Sequence, residues 1–164
     1  MKKLVLMAMA AVALAMPAAN AQKVNQDAAR SKMAKSDAEI ADAKKNGKAA
    51  TWINRGKIYF DAFAEPTKDL FPNAPEMTLQ LTMGKPVSVE EGVLGGTPVI
   101  VANYEWVKVY INNGNVVAWE QTRKIGDNLY RTAIEAYAKA YQLDPKQEAK
   151  IMTGLKSITD ALLM

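Results

Sequence analysis

Acidic side chains are the residues of this sequence whose chemistry comes closest to catalysis. Two carboxylates hydrolyse a glycoside when one protonates the leaving oxygen and the other acts as base or nucleophile. The candidates are the adjacent pair Glu90-Glu91 and the set Asp61, Glu65 and Asp69. Because no second part of an acid-base arrangement accompanies either set, we expect solvated surface carboxylates, no catalytic residues and no enzyme.

Other common catalytic and cofactor chemistry is excluded by residue type. The chain of 164 residues contains no His and no Cys, which removes the usual proton shuttle, the usual thiolate nucleophile and most transition-metal ligands. The glycine pair Gly95-Gly96 does not lead into a helix in the way that a phosphate-binding loop requires. The sequence therefore predicts no cofactor and no metal site.

The first 21 residues have the organisation of a cleavable secretory signal peptide. An uncharged apolar run from Leu4 to Met16 follows two lysines, and Ala19 and Ala21 supply the small residues of a cleavage site. The run is too short to cross a bilayer, which needs about 20 residues. We predict export to the periplasm, the cell envelope or the medium, without stable membrane insertion after cleavage.

Cleavage of this leader leaves a chain with nearly balanced charge. The full sequence has 21 Lys and Arg against 17 Asp and Glu, and the leader takes away two Lys, so 19 basic residues remain against 17 acidic ones. A nearly balanced net charge gives no reason to expect attraction to a polyphosphate backbone. We therefore expect no nucleic-acid partner.

Four segments have the apolar spacing of amphipathic helices. The first lies within residues 22–47, and the second, within 48–65, ends before Pro66 because proline cannot continue a helix. The third occupies 127–145 and the fourth 146–164. These helices enclose a different kind of sequence in the middle of the chain.

Residues 66–126 are predicted to form a loop followed by β-structure. The segments with alternating or β-branched residues are Thr78 to Thr82, Val87 to Val93 (broken by Gly92), Val99 to Ile111 and Val116 to Thr122. The centre Asn113-Gly114 is typical of a type I′ turn and pairs Ile111 with Val116. This is the strongest hairpin signal in the sequence.

The register of this hairpin predicts two different faces. The aliphatic face, which contains Val107, Val109 and Ile111, is expected to be buried. The other face places Lys108 directly across from Trp119, close enough for a cation to stack on the ring. It forms a candidate binding face if no further element covers it and second-layer core if one does; its residues are Trp106, Lys108, Tyr110 and Trp119.

The second and third predicted helices resemble the two halves of one tetratricopeptide repeat. The motif positions of the two halves are Trp52, Gly56 and Tyr59, then Ala133, Tyr137, Ala140 and Pro145. Arg55 stands where the pattern has leucine, which departs from the first half. The sequence separation between Trp52 and Ala133 is 133 minus 52, or 81 residues. In an uninterrupted 34-residue repeat, the corresponding two positions are separated by about 16 residues. The intervening strands therefore form an insertion that splits the repeat.

The whole layout resembles exported tetratricopeptide-repeat proteins of Gram-negative bacteria. This resemblance implies an α+β fold in which antiparallel helices of repeat type carry a small inserted antiparallel β-sheet. It also implies a non-enzymatic scaffold for protein–protein interaction, whose partner is another protein or a peptide. Gly154-Leu155 reverses the Leu-Gly order of the repeat, so the last helix is predicted to be a degenerate repeat or a cap.

Two other functions are compatible with the same residues. A glycan-binding module would use the aromatic face of the hairpin, since flat rings suit sugars. A subunit of an envelope assembly would dock through the last helix, at Leu155, Ile158 and Leu162. Both alternatives depend on whether those side chains are exposed.

Overall fold

A computed structural model describes residues 22–162, so the predicted signal peptide lies outside the described residues. The elements are α1 (Gln26–Ala41), α2 (Ala49–Ala64), α3 (Glu76–Met83), β1 (Ser88–Leu94), β2 (Thr97–Asn103), β3 (Val107–Asn112), β4 (Asn115–Gln121), α4 (Leu129–Leu143) and α5 (Glu148–Leu162). Short 3₁₀ turns follow α2 and precede α5. Helices together with an antiparallel sheet confirm the predicted α+β class.

The sheet is an antiparallel meander with the strand order β1-β2-β3-β4. Gly95 and Gly96 form the first turn, and both have positive φ angles, a conformation that glycine adopts without steric cost. The second turn is closed by Tyr104, whose N–H donates to the carbonyl of Val107 at 2.8 Å. The prediction of one continuous strand from Val99 to Ile111 was therefore wrong. The sequence did not reveal this turn because it contains neither glycine nor proline.

The predicted strand at Thr78 to Thr82 was also wrong, because α3 occupies this segment. Leu79 and Met83 are buried four residues apart, which is the spacing of one helix face. The helix follows Pro75 and ends at Gly84, whose φ is 77°. Five residues in which Leu alternates with Thr or Gln also fit a strand pattern, so alternation over so short a window did not distinguish a strand from a helix.

The central hairpin begins in the predicted register and then departs from it. Ile111 pairs with Val116 as predicted, but Tyr110 pairs with Ala118, which leaves Val117 as the extra residue of a β-bulge. Every pair further from the turn is shifted by one residue. A one-residue shift moves side chains to the opposite face of a sheet.

The α2 and α4 helices pack against each other in antiparallel orientation. The ring of Tyr137 lies against Gly56, and the rings of Phe63 and Tyr130 meet edge to face with centroids 5.7 Å apart. The second contact lies seven residues later on α2 and seven residues earlier on α4 than the first, so the two helices run in opposite directions. Two segments far apart in sequence form one helical pair, and the sheet lies in the connection between them.

A single cluster of buried side chains joins the helices to one face of the sheet. It includes Val107 and Val109 of β3, Leu79 of α3, and Ala133 and Ala140 of α4. The α1 and α5 helices flank the central pair through contacts with α2 and α4. The sheet is therefore part of the same hydrophobic core as the helices.

Candidate functional site

Tyr137 is the side chain around which three helices meet. A Cβ atom placed on Gly56 of α2 would lie 2.7 Å from Cζ of Tyr137, and one placed on Gly154 of α5 would collide with the same ring. Real Cβ atoms essentially never approach so closely, so any larger residue at either position would force the Tyr137 ring to shift. The buried Tyr137 ring fills a site whose walls are glycine backbone on both sides.

The remaining repeat-motif residues lie at the same junction or at its ends. Ala133 and Ala140 are fully buried on α4, and Tyr59 is buried on α2. Trp52 is half-buried, and its indole N–H donates to the carbonyl of Asn46 at 2.7 Å. Pro145 is exposed in the turn that separates α4 from α5.

Gly154 also belongs to this site. Its contact with Tyr137 was not predicted from the sequence, because Gly154-Leu155 has the reverse of the Leu-Gly order in the repeat pattern. A glycine in a helix interior costs about 1 kcal/mol relative to alanine. A glycine within an otherwise regular apolar stripe therefore indicates close approach of a neighbouring group. Composition and spacing identify such a glycine, whereas its contact with Tyr137 emerges only from the fold.

Arg55, the departure from the repeat pattern, links α2 to α1. Its Nη1 donates to Asp37 Oδ1 at 2.6 Å and to Ser36 Oγ at 3.4 Å. Its guanidinium carbon lies 4.4 Å from the centroid of the Tyr59 ring, and the hydroxyl of Tyr59 donates to Asp37 at 2.6 Å. Arg55 therefore connects α2 to α1 through a polar partner, Asp37.

This cluster shifts the ionisation of two of its members. Burial raises the pKa of Asp37, but hydrogen bonds from Tyr59 and Arg55 and the charge of Arg55 outweigh it, and the pKa falls below its ordinary value. Burial, followed by the hydrogen bond to Asp37, raises the pKa of Tyr59. The contacts of the cluster thus favour the carboxylate form of Asp37 and the neutral phenol of Tyr59, as expected for a structural link between α1 and α2.

The Asp37→Asn substitution is expected to lower the free energy of unfolding relative to the parent protein at pH 7. At low pH the difference between the two proteins is expected to be smaller. Because the folded pKa is lowered, Asp37 contributes stability above its unfolded pKa of about 3.9 and loses it as the pH falls through the folded value. The Asp37 side chain is 53% exposed, so solvent limits the loss at pH 7 to about 1 kcal/mol. Urea unfolding at pH 7 and pH 3 measures this difference.

Asp127→Asn is the matched control because Asp127 is exposed and lies outside the cluster. It removes the same charge and is expected to change stability by about 0.5 kcal/mol or less. An Asp37→Asn effect that stays constant from pH 7 to pH 3 would show that the ion pair does not stabilise the fold.

An apolar groove lies between α4 and α5. Its volume is about 290 Å³, and its walls include Ile134 and Tyr141 of α4 and Met152 and Leu155 of α5. Tyr141 is 46% exposed and Met152 is 55% exposed. The charged member of the lining is Glu148, at the beginning of α5. The groove is too small to enclose most small-molecule ligands but large enough for one or two apolar side chains.

The predicted aromatic face of the hairpin does not exist as one surface. Trp106 lies in the β2–β3 turn and is only 8% exposed, and its carbonyl accepts the N–H of Thr122 at 2.9 Å. The bulge places Trp119 opposite Val109, on the core side, and Lys108 opposite Glu120. The predicted stacking of Lys108 on Trp119 was therefore wrong.

Tyr110 stays on the sheet face that points away from the core. It pairs with Ala118, and its hydroxyl donates to Glu120 at 3.4 Å. Lys108 shares this face, while Trp106 and Trp119 do not. The four residues of the predicted binding face are thus divided between two sides of the sheet and a turn.

Asp61 and Glu65, two of the carboxylates considered for catalysis, are engaged in local ion pairs. Asp61 pairs with Lys57 at 2.6 Å, and Glu65 pairs with Lys68 at 2.9 Å. Burial raises the pKa of Glu65, but hydrogen bonds from Lys68 and the Asn25 N–H lower it below its ordinary value, which opposes a general-acid role. Residues 22–162 contain no group of three or more acidic, His or Cys side chains arranged to hold a metal ion.

Comparisons with known proteins add no family to these observations. No family model, no curated protein and no solved structure matches the chain. Among the described helices, none has the length and apolar character needed to cross a membrane.

Proposed function

We propose that the protein is an exported, non-enzymatic scaffold of tetratricopeptide-repeat type that binds another protein. The observation that carries the proposal is the packing of Tyr137 between Gly56 and Gly154. It holds α2, α4 and α5 at close distance and leaves the α4–α5 groove as an apolar surface of fixed shape. Rigid helices that present such a groove are suited to recognising a partner segment.

The occupant of the groove is an amphipathic helix of the partner. The walls are two adjacent helices whose apolar residues recur at helical spacing, and a third helix packs into such a valley by inserting its own side chains as ridges. Glu148 at one end of the groove favours a partner Lys or Arg at that end of the apolar stripe. The partner is thus a helix with an apolar face and a flanking basic residue.

A photo-crosslinking amino acid at Met152 is expected to form adducts with one partner protein in cells that produce the full chain. Its side chain faces the groove, so an occupying helix lies within reach. Mass spectrometry of the adduct is expected to identify a peptide with apolar residues three and four apart. Thr153 is the matched control because it is an exposed neighbour on α5 outside the groove lining.

Equal adducts from Met152 and Thr153 would contradict the proposal, since they would show that the groove is not the contact surface. Adducts at Met152 with a segment that lacks helical apolar spacing would contradict the assignment of the occupant. Adducts at Met152 that disappear in the Tyr141→Glu background would support it.

The predicted signal peptide supports placing this interaction in the periplasm or outside the cell. Full-length chain produced in a Gram-negative host is expected to appear in the periplasmic fraction with Gln22 as its first residue. Intact mass measurement of the purified fraction tests this prediction. A cytoplasmic product that retains the leader would contradict export.

The two alternative functions gain no support from the positions of their residues. Glycan binding relied on Trp106 and Trp119, which do not share an exposed face. Docking of the last helix into an envelope assembly relied on Leu155, Ile158 and Leu162, but Ile158 is buried in the core. The groove is the better candidate surface because its lining is apolar apart from Glu148 and includes the accessible side chains of Tyr141 and Met152.

A further inference from the structure

The β1 strand carries an open edge. Both ends of a four-stranded sheet are edges, but the β4 edge is covered at its beginning, where Asn73 donates to the carbonyl of Val116 and Val116 donates to that of Ala74. Within residues 22–162, β1 pairs with no strand other than β2. An open edge offers unpaired backbone donors and acceptors to another strand.

The backbone groups that point outward from β1 follow from the alternation of hydrogen bonds. The Tyr104 N–H donates to the Val107 carbonyl across the β2–β3 turn. Because antiparallel bonding alternates, every second residue of β2 bonds to β3 and the intervening residues bond to β1. The residues of β1 that this leaves with outward N–H and C=O groups are Val89, Glu91 and Val93.

The side chains of these three residues lie on the same sheet face as the core. Val89 pairs with Ala102, and Glu91 pairs with Ile100, which places them in line with the buried residues of β3. The helices do not extend this far, so Val89 is 58% exposed and Val93 is 70% exposed. The open edge therefore presents a carboxylate between two accessible valines.

A surface groove of about 530 Å³ adjoins this edge, lined in part by Glu91, Val93, Ile100 and Ile111. Glu91 takes part in none of the ion pairs formed among the described residues. A Lys or Arg side chain matches the groove, because its alkyl part can cover the apolar wall while its cation meets the carboxylate.

We propose that β1 is a docking edge for an extended segment of a partner protein, which joins the sheet as a fifth strand. The segment carries a Lys or Arg opposite Glu91 and apolar residues opposite Val89 and Val93. Main-chain hydrogen bonds supply affinity, and the alternate side chains supply selectivity. This surface is separate from the α4–α5 groove, so the two proposals stand or fall independently.

In the registers that place Glu91 or Glu90 opposite itself, charge argues against a second copy of this chain as the occupant. Antiparallel pairing of two β1 strands through all three outward residues places Glu91 opposite Glu91. Moving the register so that the centre falls one residue earlier places Glu90 opposite Glu90. Like charges directly opposite each other destabilise a strand pair, whereas a basic residue in the partner turns the same position into an attraction.

The test uses two synthetic peptides with blocked ends, Thr-Val-Thr-Arg-Thr-Val-Thr and the same sequence with Glu in place of Arg. The Arg peptide is expected to bind the protein about tenfold more tightly, from one attraction gained and one repulsion avoided. NMR hydrogen exchange in the presence of the Arg peptide is expected to slow at the amides of Val89, Glu91 and Val93, whose N–H groups lack a partner in β2.

Charge reversal makes the test specific. The Glu91→Lys variant is expected to prefer the Glu peptide by about tenfold. Glu90→Lys is the matched control, since the adjacent side chain points to the opposite face, and it is expected to keep the preference for the Arg peptide. Both variants are compared by their hydrogen–deuterium exchange and circular dichroism to establish that they fold.

Three results would overturn the proposal. Equal binding of the two peptides would remove the role of Glu91, and unchanged exchange at the three amides would remove strand addition. A dimer in sedimentation of the protein alone that is broken by Glu91→Pro would show that a second copy occupies the edge.

Discussion

Tyr137→Ala is expected to lower the free energy of unfolding by about 3 to 5 kcal/mol, the range for removing a large aromatic side chain from a core. The ring lies between Gly56 and Gly154, and glycine has no side chain that could move into the space left behind. The cavity therefore stays open at the contact of three helices. Urea unfolding followed by far-UV circular dichroism measures the loss.

Tyr141→Ala is the matched control for this variant. It removes the same side chain one turn further along α4, at a residue that is half exposed, and it is expected to cost about 1 kcal/mol or less. Comparable losses in the two variants would mean that Tyr137 does not occupy a special position.

Gly154→Ala is expected to destabilise the protein by up to about 2 kcal/mol, although helix propensity alone predicts the opposite sign. Alanine in place of glycine stabilises an unconstrained helix interior by about 1 kcal/mol. Here the added Cβ collides with the Tyr137 ring, and overpacking of a tight core costs about 1 to 3 kcal/mol. The change in urea midpoint at constant m value reports the sign directly.

A double-mutant cycle identifies the cause of this effect. With Tyr137→Ala already present, Gly154→Ala is expected to become stabilising by up to about 1 kcal/mol, because the obstacle is gone. Gly47→Ala is the control, since nothing lies within 4 Å of a Cβ at that position, and we expect it to be neutral within about 0.5 kcal/mol. Destabilisation by Gly154→Ala that persists without the ring would refute the contact.

The longer elements of this fold follow from local sequence, whereas the shorter ones do not. Apolar spacing over fifteen or sixteen residues predicted α2 and α4, because a long window contains several turns of the helix period. The eight residues of α3 contain too few turns to separate a helix period from a strand period. Burial of Leu79 and Met83 against the sheet then selects the helix.

The predicted hairpin face failed for a different physical reason. The Asn113-Gly114 centre marks the turn through its tolerance of positive φ, and both residues have positive φ. The bulge at Val117 has no such chemical signature, since any residue can be the extra one. The bulge places Trp119 on the opposite side of the sheet from the predicted one. A shift of one residue in the register was therefore enough to remove the predicted binding face.

The α4–α5 groove and the Gly154 contact also lay beyond local sequence. Each depends on how two helices are placed against each other, which spacing within one helix does not specify. The pairing of α2 with α4 was predicted from the resemblance of Gly56 and Tyr137 to repeat positions. The contact of this pair with α5, through Gly154, is seen only in the folded structure.

The most direct test of the account is an NMR measurement of the protein with its Tyr137 ring protons assigned. We predict nuclear Overhauser contacts from this ring to the α protons of both Gly56 and Gly154, since the ring lies against both backbones. Contacts to neither glycine, or to Gly56 alone, would contradict the three-helix junction from which the proposed scaffold is built.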